Sequence, residues 1–394
     1  MPFQLNVSDA DLETLQKKLE MARLPDEPIG FTVEQGVPVS EMHRLVEYWL
    51  KTYLPNWRNH EAALNRLPMY TETVSTDQFG DLDIHFIHQR SSVKEAIPLL
   101  FVHGWPGNFL EVTKLLPLLT EGGADSPAFH VVAPSLPNYG FSEGVSKTGF
   151  NLRHYGEVGD WGSLITQMMG RNYHENLRAV HINFVFFDPM NLLKQPLRLL
   201  QALIIPWTKF EWQGLKSAWS YITTGNAYYK IHQTRPQTVA YCLADSPVAL
   251  LGWIYEKLLH WTDNYPWTED EILTWVSIYW FSAAGPGASV RTYFEAETPT
   301  PPYGIPADKA FFAWNNVPLG LTQFPKDVMG IPRAFTRTLG NIVFENWASD
   351  GGHFAAWERP EVLARDLRRM FGRGGGAYGV VDGADGYHED KKDA

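Results

Sequence analysis

The chain has 394 residues, of which 44% are hydrophobic and 14% aromatic, and its formal net charge is −11. That length suits one large α/β domain with an insertion, or two domains. The acidic balance speaks against a nucleic-acid surface, and the many Trp and Tyr suit an apolar pocket with polar handles. A single cysteine, Cys242, excludes an internal disulfide and fits a reducing compartment; it is expected to be a small buried hydrophobe. The N-terminus has no basic stretch followed by an apolar core. The most membrane-like stretch, Leu192 to Trp207, carries Lys194, Gln195 and Arg198 and is too short to span. A soluble, cytoplasmic protein is expected.

In chain order, Ser8 and Asp11 open a helix with Leu12, Leu15, Leu19 and Ala22 at helical spacing, stopped by Pro25 and Pro28. Ser40 is the expected cap of a second helix, with Leu45, Val46, Trp49, Leu50 and Tyr53 as its buried stripe and Pro55 as its end. Thr71 to Val74 and Leu82 to His88 read as strands around the turn at Gly80-Asp81, with Leu82, Ile84 and Phe86 on one face. Leu99 to Val102 and His130 to Pro134 read as core strands with helical Phe109 to Leu119 between them, which predicts a parallel sheet. Val180 to Phe186 and Asn341 to Asn346 are further strands. Between them, residues from about Pro189 to Trp314 are helical in pattern and rich in aromatics, as a lid over a site would be.

Two stretches carry chemistry. The run Leu99 to Val102 breaks into His103-Gly104-Trp105-Pro106-Gly107, as a buried parallel strand does at the carboxyl edge of its sheet. Gly159-Asp160-Trp161-Gly162 then sets an acid between glycines ahead of Ser163 to Met169, which can continue as a helix. A side chain on a sharp strand-to-helix turn is exposed and faces a helix N-terminus. Here that residue is Asp, not Ser or Cys.

With Phe324-Pro325-Lys326-Asp327, Gly352-His353-Phe354-Ala355-Ala356 and, upstream, Trp57-Arg58-Asn59-His60-Glu61, these motifs form one ordered set. The set resembles the epoxide hydrolases of the α/β-hydrolase superfamily, of the microsomal and fungal type with an N-terminal meander. The resemblance covers roughly Phe3 to Phe371. It implies an α/β-hydrolase fold: a mostly parallel sheet flanked by helices. The implied divisions are a meander over 1–75, core over 76–188 and 315–372, a helical lid over 189–314, and a disordered tail over 373–394. Because the chain begins at the meander, it resembles the soluble fungal members and is expected to have no membrane anchor.

The resemblance also implies roles. Asp160 attacks a carbon of a small apolar epoxide, giving an ester that water hydrolyses. His353 is the base for that water, with Asp327 holding its tautomer; Glu345 is the alternative acid. Backbone amides of Trp105 and Trp161 form the oxyanion hole. Tyr228 and Tyr293 in the lid protonate the opened oxygen, with Tyr229 as the neighbour that local pattern leaves open. Neither metal nor organic cofactor is implied, and the oligomeric state stays open, a homodimer included. The rivals are a haloalkane dehalogenase, a serine esterase through Ser163, and an inactive relative.

Three departures stand out. Asn108 occupies a position where the family usually has Ser, and Val158 one where the turn prefers Gly. The third is length. Between Ser142 and Gly159 the family carries a further helix and the strand that ends at the nucleophile, whereas Asn151 to Glu157 is polar and makes a poor central strand. A gap or weak strand beside Asp160 is therefore expected.

Overall fold

A computed structural model of the chain describes residues 1–76, 78–151, 154–155, 162–185, 193, 195–296 and 314–388, together with the backbone of 297. Helix α1 spans Asp9–Glu20, and the Ser8 hydroxyl accepts the Asp11 amide at 3.1 Å as expected. Helix α2, Val39–Tyr48, starts after Pro38, so Ser40 lies within its first turn and does not cap it. The Met42 amide that such a cap would serve already bonds the Pro38 carbonyl at 3.1 Å, and Glu27 Oε2 takes the free Val39 amide at 2.8 Å. Pro55 does not stop the helical path either. It sits in the first turn of a short 3₁₀ segment, Leu54–Asn56, where no amide is needed, and the chain runs on into α3, Trp57–Leu64. Leu45, Trp49 and Tyr53 form the fully buried stripe. Glu61 Oε1 accepts the Val7 amide at 2.7 Å and Asn65 exchanges hydrogen bonds with Leu5, which ties the first residues onto α3.

Strands β1 (Met69–Thr76) and β2 (Gly80–Gln89) pair antiparallel, β2 pairs antiparallel with β4 (Phe129–Pro134), and β4 pairs parallel with β3 (Ile97–Leu100). Leu82 and Ile84 are buried as expected, but Phe86 is half-buried while His85 and Ile87 are fully buried. Alternation fails there because β2 gains its second neighbour, β4, only from Phe86 onward. Helix α4 is Leu115–Thr120, behind a 3₁₀ turn at Phe109–Val112. Helix α5, Gly162–Asn172, leads to β5, which is only Val180–Ile182.

The lid contributes α6 (Pro196–Ile204), α7 (Lys209–Ser220), α8 (Ala227–Thr234), α9 (Pro236–Asp245), α10 (Pro247–His260), α11 (Glu269–Trp280) and α12 (Arg291–Glu297). Reciprocal capping boxes at Thr208 with Glu211 and Thr268 with Glu271 start α7 and α11. No single helix among the described residues is long and apolar enough to cross a membrane. Cys242 is exposed, against expectation, because α9 turns Val239, Ala240 and Leu243 inward and places Cys242 on the opposite face.

The chain then returns through β6 (Asn315–Gln323), α13 (Arg333–Thr336), β7 (Gly340–Trp347), α14 (Ala355–Glu358) and α15 (Pro360–Phe371). Strands β5, β6 and β7 form a parallel sheet. The expected single sheet is thus two among the described residues, ordered β1-β2-β4-β3 and β5-β6-β7. Between the facing edges of β3 and β5 lies a cavity of about 1020 Å³, lined by Leu99, Phe101, Val102, Val180 and His181 among others.

The tail expectation fails for 373–388. Tyr387 is buried and its hydroxyl accepts the Arg373 amide at 3.0 Å, while Gly386 bridges the Ala128 amide and the Glu95 carbonyl. Glycine here permits close packing: a Cβ on Gly386, at φ +84°, would stand 2.5 Å from Pro127 Cβ.

Candidate active site

The loop after β3 is held from three sides. Trp275 Nε1 donates to the Pro106 carbonyl at 2.6 Å, the Tyr279 hydroxyl to Gly107 at 2.5 Å, and the Gly162 amide to His103 at 2.9 Å. A Cβ on Gly162 would stand 2.5 Å from the Val102 carbonyl oxygen, so α5 begins hard against the end of β3. His103 is buried, and desolvation lowers its pKa to about 4, so it is a neutral structural group beside the site. Asp160 and Trp161, together with Val158, lie outside the described residues.

The acid and the histidine come from the ends of β6 and β7. His353 Nδ1 and Asp327 Oδ1 are 2.8 Å apart, and the same Asp327 oxygen accepts the Val328 amide at 2.7 Å. Burial by itself would lower the His353 pKa. The charge and hydrogen bond of Asp327, with the fields of Glu111 and Glu358, together outweigh it, and the net shift is upward. The Asp-Gly-Gly turn before His353 is pinned as well. The Gly351 amide donates to Asp263 at 3.0 Å, the Gly352 amide to Glu358 at 2.9 Å, and the His353 amide to the Trp261 carbonyl at 2.7 Å. Gly351 sits at φ +105°, and a Cβ on Gly352 would meet the Trp261 carbonyl oxygen at 2.4 Å, so both glycines are required. Glu345 shares β7 but is engaged elsewhere, 3.1 Å from Arg337 and 3.5 Å from Arg333.

Opposite this pair stands an aromatic wall. Tyr228 stacks on Trp105 at 5.0 Å and 14°, and Tyr293 meets the Trp105 ring edge-on at 5.8 Å. Desolvation drives both tyrosine pKa values well above the ordinary phenol value, so both hydroxyls keep their protons. Tyr229 is half-buried on the neighbouring position of α8, edge-on to Tyr293 at 5.1 Å. The one-turn spacing of Tyr228 and His232 marks the buried face of that helix.

Trp105, Glu111, Tyr228, Tyr293 and His353 line one cavity of about 130 Å³, shared with Trp261 and Phe184. Three of these residues went unnoticed in the sequence, along with Tyr221, whose hydroxyl lies 3.0 Å from that of Tyr228. Tyr221 reaches it because α7 ends in one wide π turn, Tyr221–Gly225, for which no sequence signal stands out. Glu111 had one: an acid inside the otherwise apolar Phe109-Leu110-Glu111-Val112.

The family described as epoxide hydrolase N terminus matches residues 1–112. A protein of Stigmatella aurantiaca assigned as an epoxide hydrolase is 34% identical, over 94% of this chain and 84% of that protein. Epoxide hydrolase 1 of Sus scrofa is 31% identical over 94% of this chain and 88% of its own. The solved structure of the Aspergillus niger epoxide hydrolase superimposes with a TM-score of 0.77 at 31% identity, covering 93% of this chain and 94% of that one. The juvenile hormone epoxide hydrolase of Bombyx mori gives 0.80 at 25% identity, covering 93% and 92%. The Stigmatella match extends over 398 positions while 94% of 394 residues is about 370, so roughly 28 positions of that relative have no counterpart here.

Proposed function

The chain belongs to the epoxide hydrolase family, of α/β-hydrolase fold, and we propose that it hydrolyses a small apolar epoxide to a vicinal diol through an ester on Asp160. The observation that supports the reading is that His353, bonded from behind by Asp327, lines one aromatic cavity with two buried, protonated tyrosines. The Asp160 carboxylate attacks a ring carbon, the carbon–oxygen bond breaks, and the departing oxygen takes a proton from Tyr228 or Tyr293. Water then adds to the Asp160 carbonyl carbon as His353 Nε2 removes its proton. The tetrahedral oxyanion accepts hydrogen bonds from the Trp105 and Trp161 amides. On collapse the diol oxygen leaves with the proton held by His353, and the second water proton, left on the Asp160 carboxyl, returns to the tyrosinate, which restores the carboxylate and the phenol. Asp327 holds His353 with Nε2 toward the water and stabilises the imidazolium.

Tyrosine hydroxyls at this wall suit a developing alkoxide, which needs a proton. A halide leaving group would need only N–H donors, so the dehalogenase reading has less to support it. A cytoplasmic setting and a homodimer belong to the same proposal; fractionation of the tagged chain and light scattering test them.

The experiment uses purified chain, a styrene-type epoxide and ¹⁸O water. One turnover should release unlabelled diol and leave the label in the peptide that carries Asp160. Label in the diol from the first turnover, with none in the peptide, overturns the ester.

A further inference from the structure

Glu111 is a carboxyl in the reaction cavity that takes no part in the scheme above. It lies in the 3₁₀ turn Phe109–Val112, directly after the His103–Gly107 loop, and Phe109 and Val112 anchor that turn in the core. Its own exposure is 9%, and it shares the cavity with His353, Tyr228 and Tyr293. The carboxyl folds back over the loop: a Cβ on Gly107 would stand 1.7 Å from Glu111 Oε1. Glycine at 107 therefore leaves the space that this carboxyl fills. An Asn108 backbone hydrogen bond reaches the carboxyl, and among the described residues no cation forms an ion pair with it.

Such a group is expensive to bury as an anion and cheap to bury as an acid. Burial raises its pKa to about 8, against the opposing pull of His353 and the Asn108 bond, so near neutral pH it is mostly the uncharged acid. Glu111 and His353 act on each other electrostatically, each shifting the other's titration. A water placed between them would find the basic Nε2 on one side and a carboxyl that can both accept and donate on the other. An ordered water in a protein needs about two to four polar partners.

We propose that Glu111 holds the hydrolytic water against His353 by a hydrogen bond to its carboxyl. The inference rests on the ester reading above. During hydrolysis the new bond forms between the water oxygen and the Asp160 carbonyl carbon. The water proton passes to His353 Nε2 and from there to the departing diol oxygen. Glu111 keeps its proton throughout, so its part is to fix where the water stands.

The test follows formation and decay of the covalent adduct by rapid quench and intact mass, with a styrene-type epoxide at pH 7. Glu111→Leu should form adduct within about threefold of the native rate and lose it about 30-fold more slowly, since only the second step uses the water. Glu111→Gln keeps a carbonyl acceptor and an N–H donor in the same place and should decay within about threefold of native. A brace for the loop alone would slow both steps together, and that result overturns the proposal. Native decay in Glu111→Leu, or decay in Glu111→Gln as slow as in Leu, overturns it as well. If Glu111→Leu does not fold, Glu111→Met supplies the same comparison. A native chain that never carries the adduct removes the ester reading itself, and the role of Glu111 with it.

Discussion

The two sides of the reaction cavity are built to different standards. On one side β6 and β7 pair from Asn315 to Gln323, and the loops beyond them are cross-linked by the Lys326–Gly352 bridge and by the bonds of Gly351, Gly352 and His353. Asp327 and His353 are aimed by that lattice. On the other side, among the described residues, β3 is paired only to β4 and the three-residue β5 only to β6, with a cavity of about 1020 Å³ between their facing edges. Parallel strands are normally buried and paired on both edges. Each backbone group buried there without a partner costs about 1–3 kcal/mol, out of a typical net stability of about 5–15 kcal/mol. The comparison teaches that an ordered set of motifs can stand in a chain whose two sheets, among the described residues, are not joined beside one of them.

The largest expected effect tests the complete side. His353→Gln should lower steady turnover by about 10³-fold, the upper range of a general base, while adduct on Asp160 accumulates in the intact mass. Undiminished turnover would remove His353 from the reaction.

Next comes the wall that faces it. Tyr228→Phe combined with Tyr293→Phe should slow ring opening about 10²-fold, so that adduct appears late and never builds up. Rapid adduct formation in that variant would mean that the proton comes from elsewhere, with Tyr221 and Tyr229 the next to be changed.

The incomplete side should respond in the opposite direction, to repair. Inserting the rest of a helix and an apolar strand between Tyr155 and Gly159 should raise turnover about tenfold. It should also raise the melting temperature by several degrees, since about 1 kcal/mol moves a domain of 150–250 residues by roughly 2–4 °C. Equal melting and equal turnover before and after repair would show that the gap carries no penalty.

The smallest effect is a displacement along the pH axis. Only neutral His353 can accept the water proton, and its pKa is raised, so adduct decay should fall with decreasing pH through a midpoint above that of ordinary histidine. Asp327→Asn removes the largest of the causes that raise it, so the midpoint should move to lower pH. An unmoved midpoint would separate Asp327 from the titration.

Much of the fold was legible because its signals are local. Ser8 caps α1 through a bond three residues away, and the turn at Gly80 pairs strands through neighbours in sequence. Ser40 misled because the helix starts one residue earlier, after Pro38, and the Met42 amide that Ser40 would have capped bonds the Pro38 carbonyl. The glycine-rich end misled because flexible composition also serves close packing, as Gly386 does against Pro127.

By itself, the sequence determined the order of the motifs and hence the family, because the chemistry proposed for Asp160, Asp327 and His353 depends on residue type within short, recognisable surroundings. It also raised the expectation of a shortage before Gly159, since a crossover and strand need a minimum number of residues whatever surrounds them. Only the tertiary structure decided that Tyr221 bonds Tyr228, that Glu345 is committed to Arg333 and Arg337, and that burial pushes up the pKa of Glu111, which shares a cavity with His353. Those properties come from burial and from partners far away in the chain, and neither desolvation nor a long-range contact is written in the spacing of neighbouring residues.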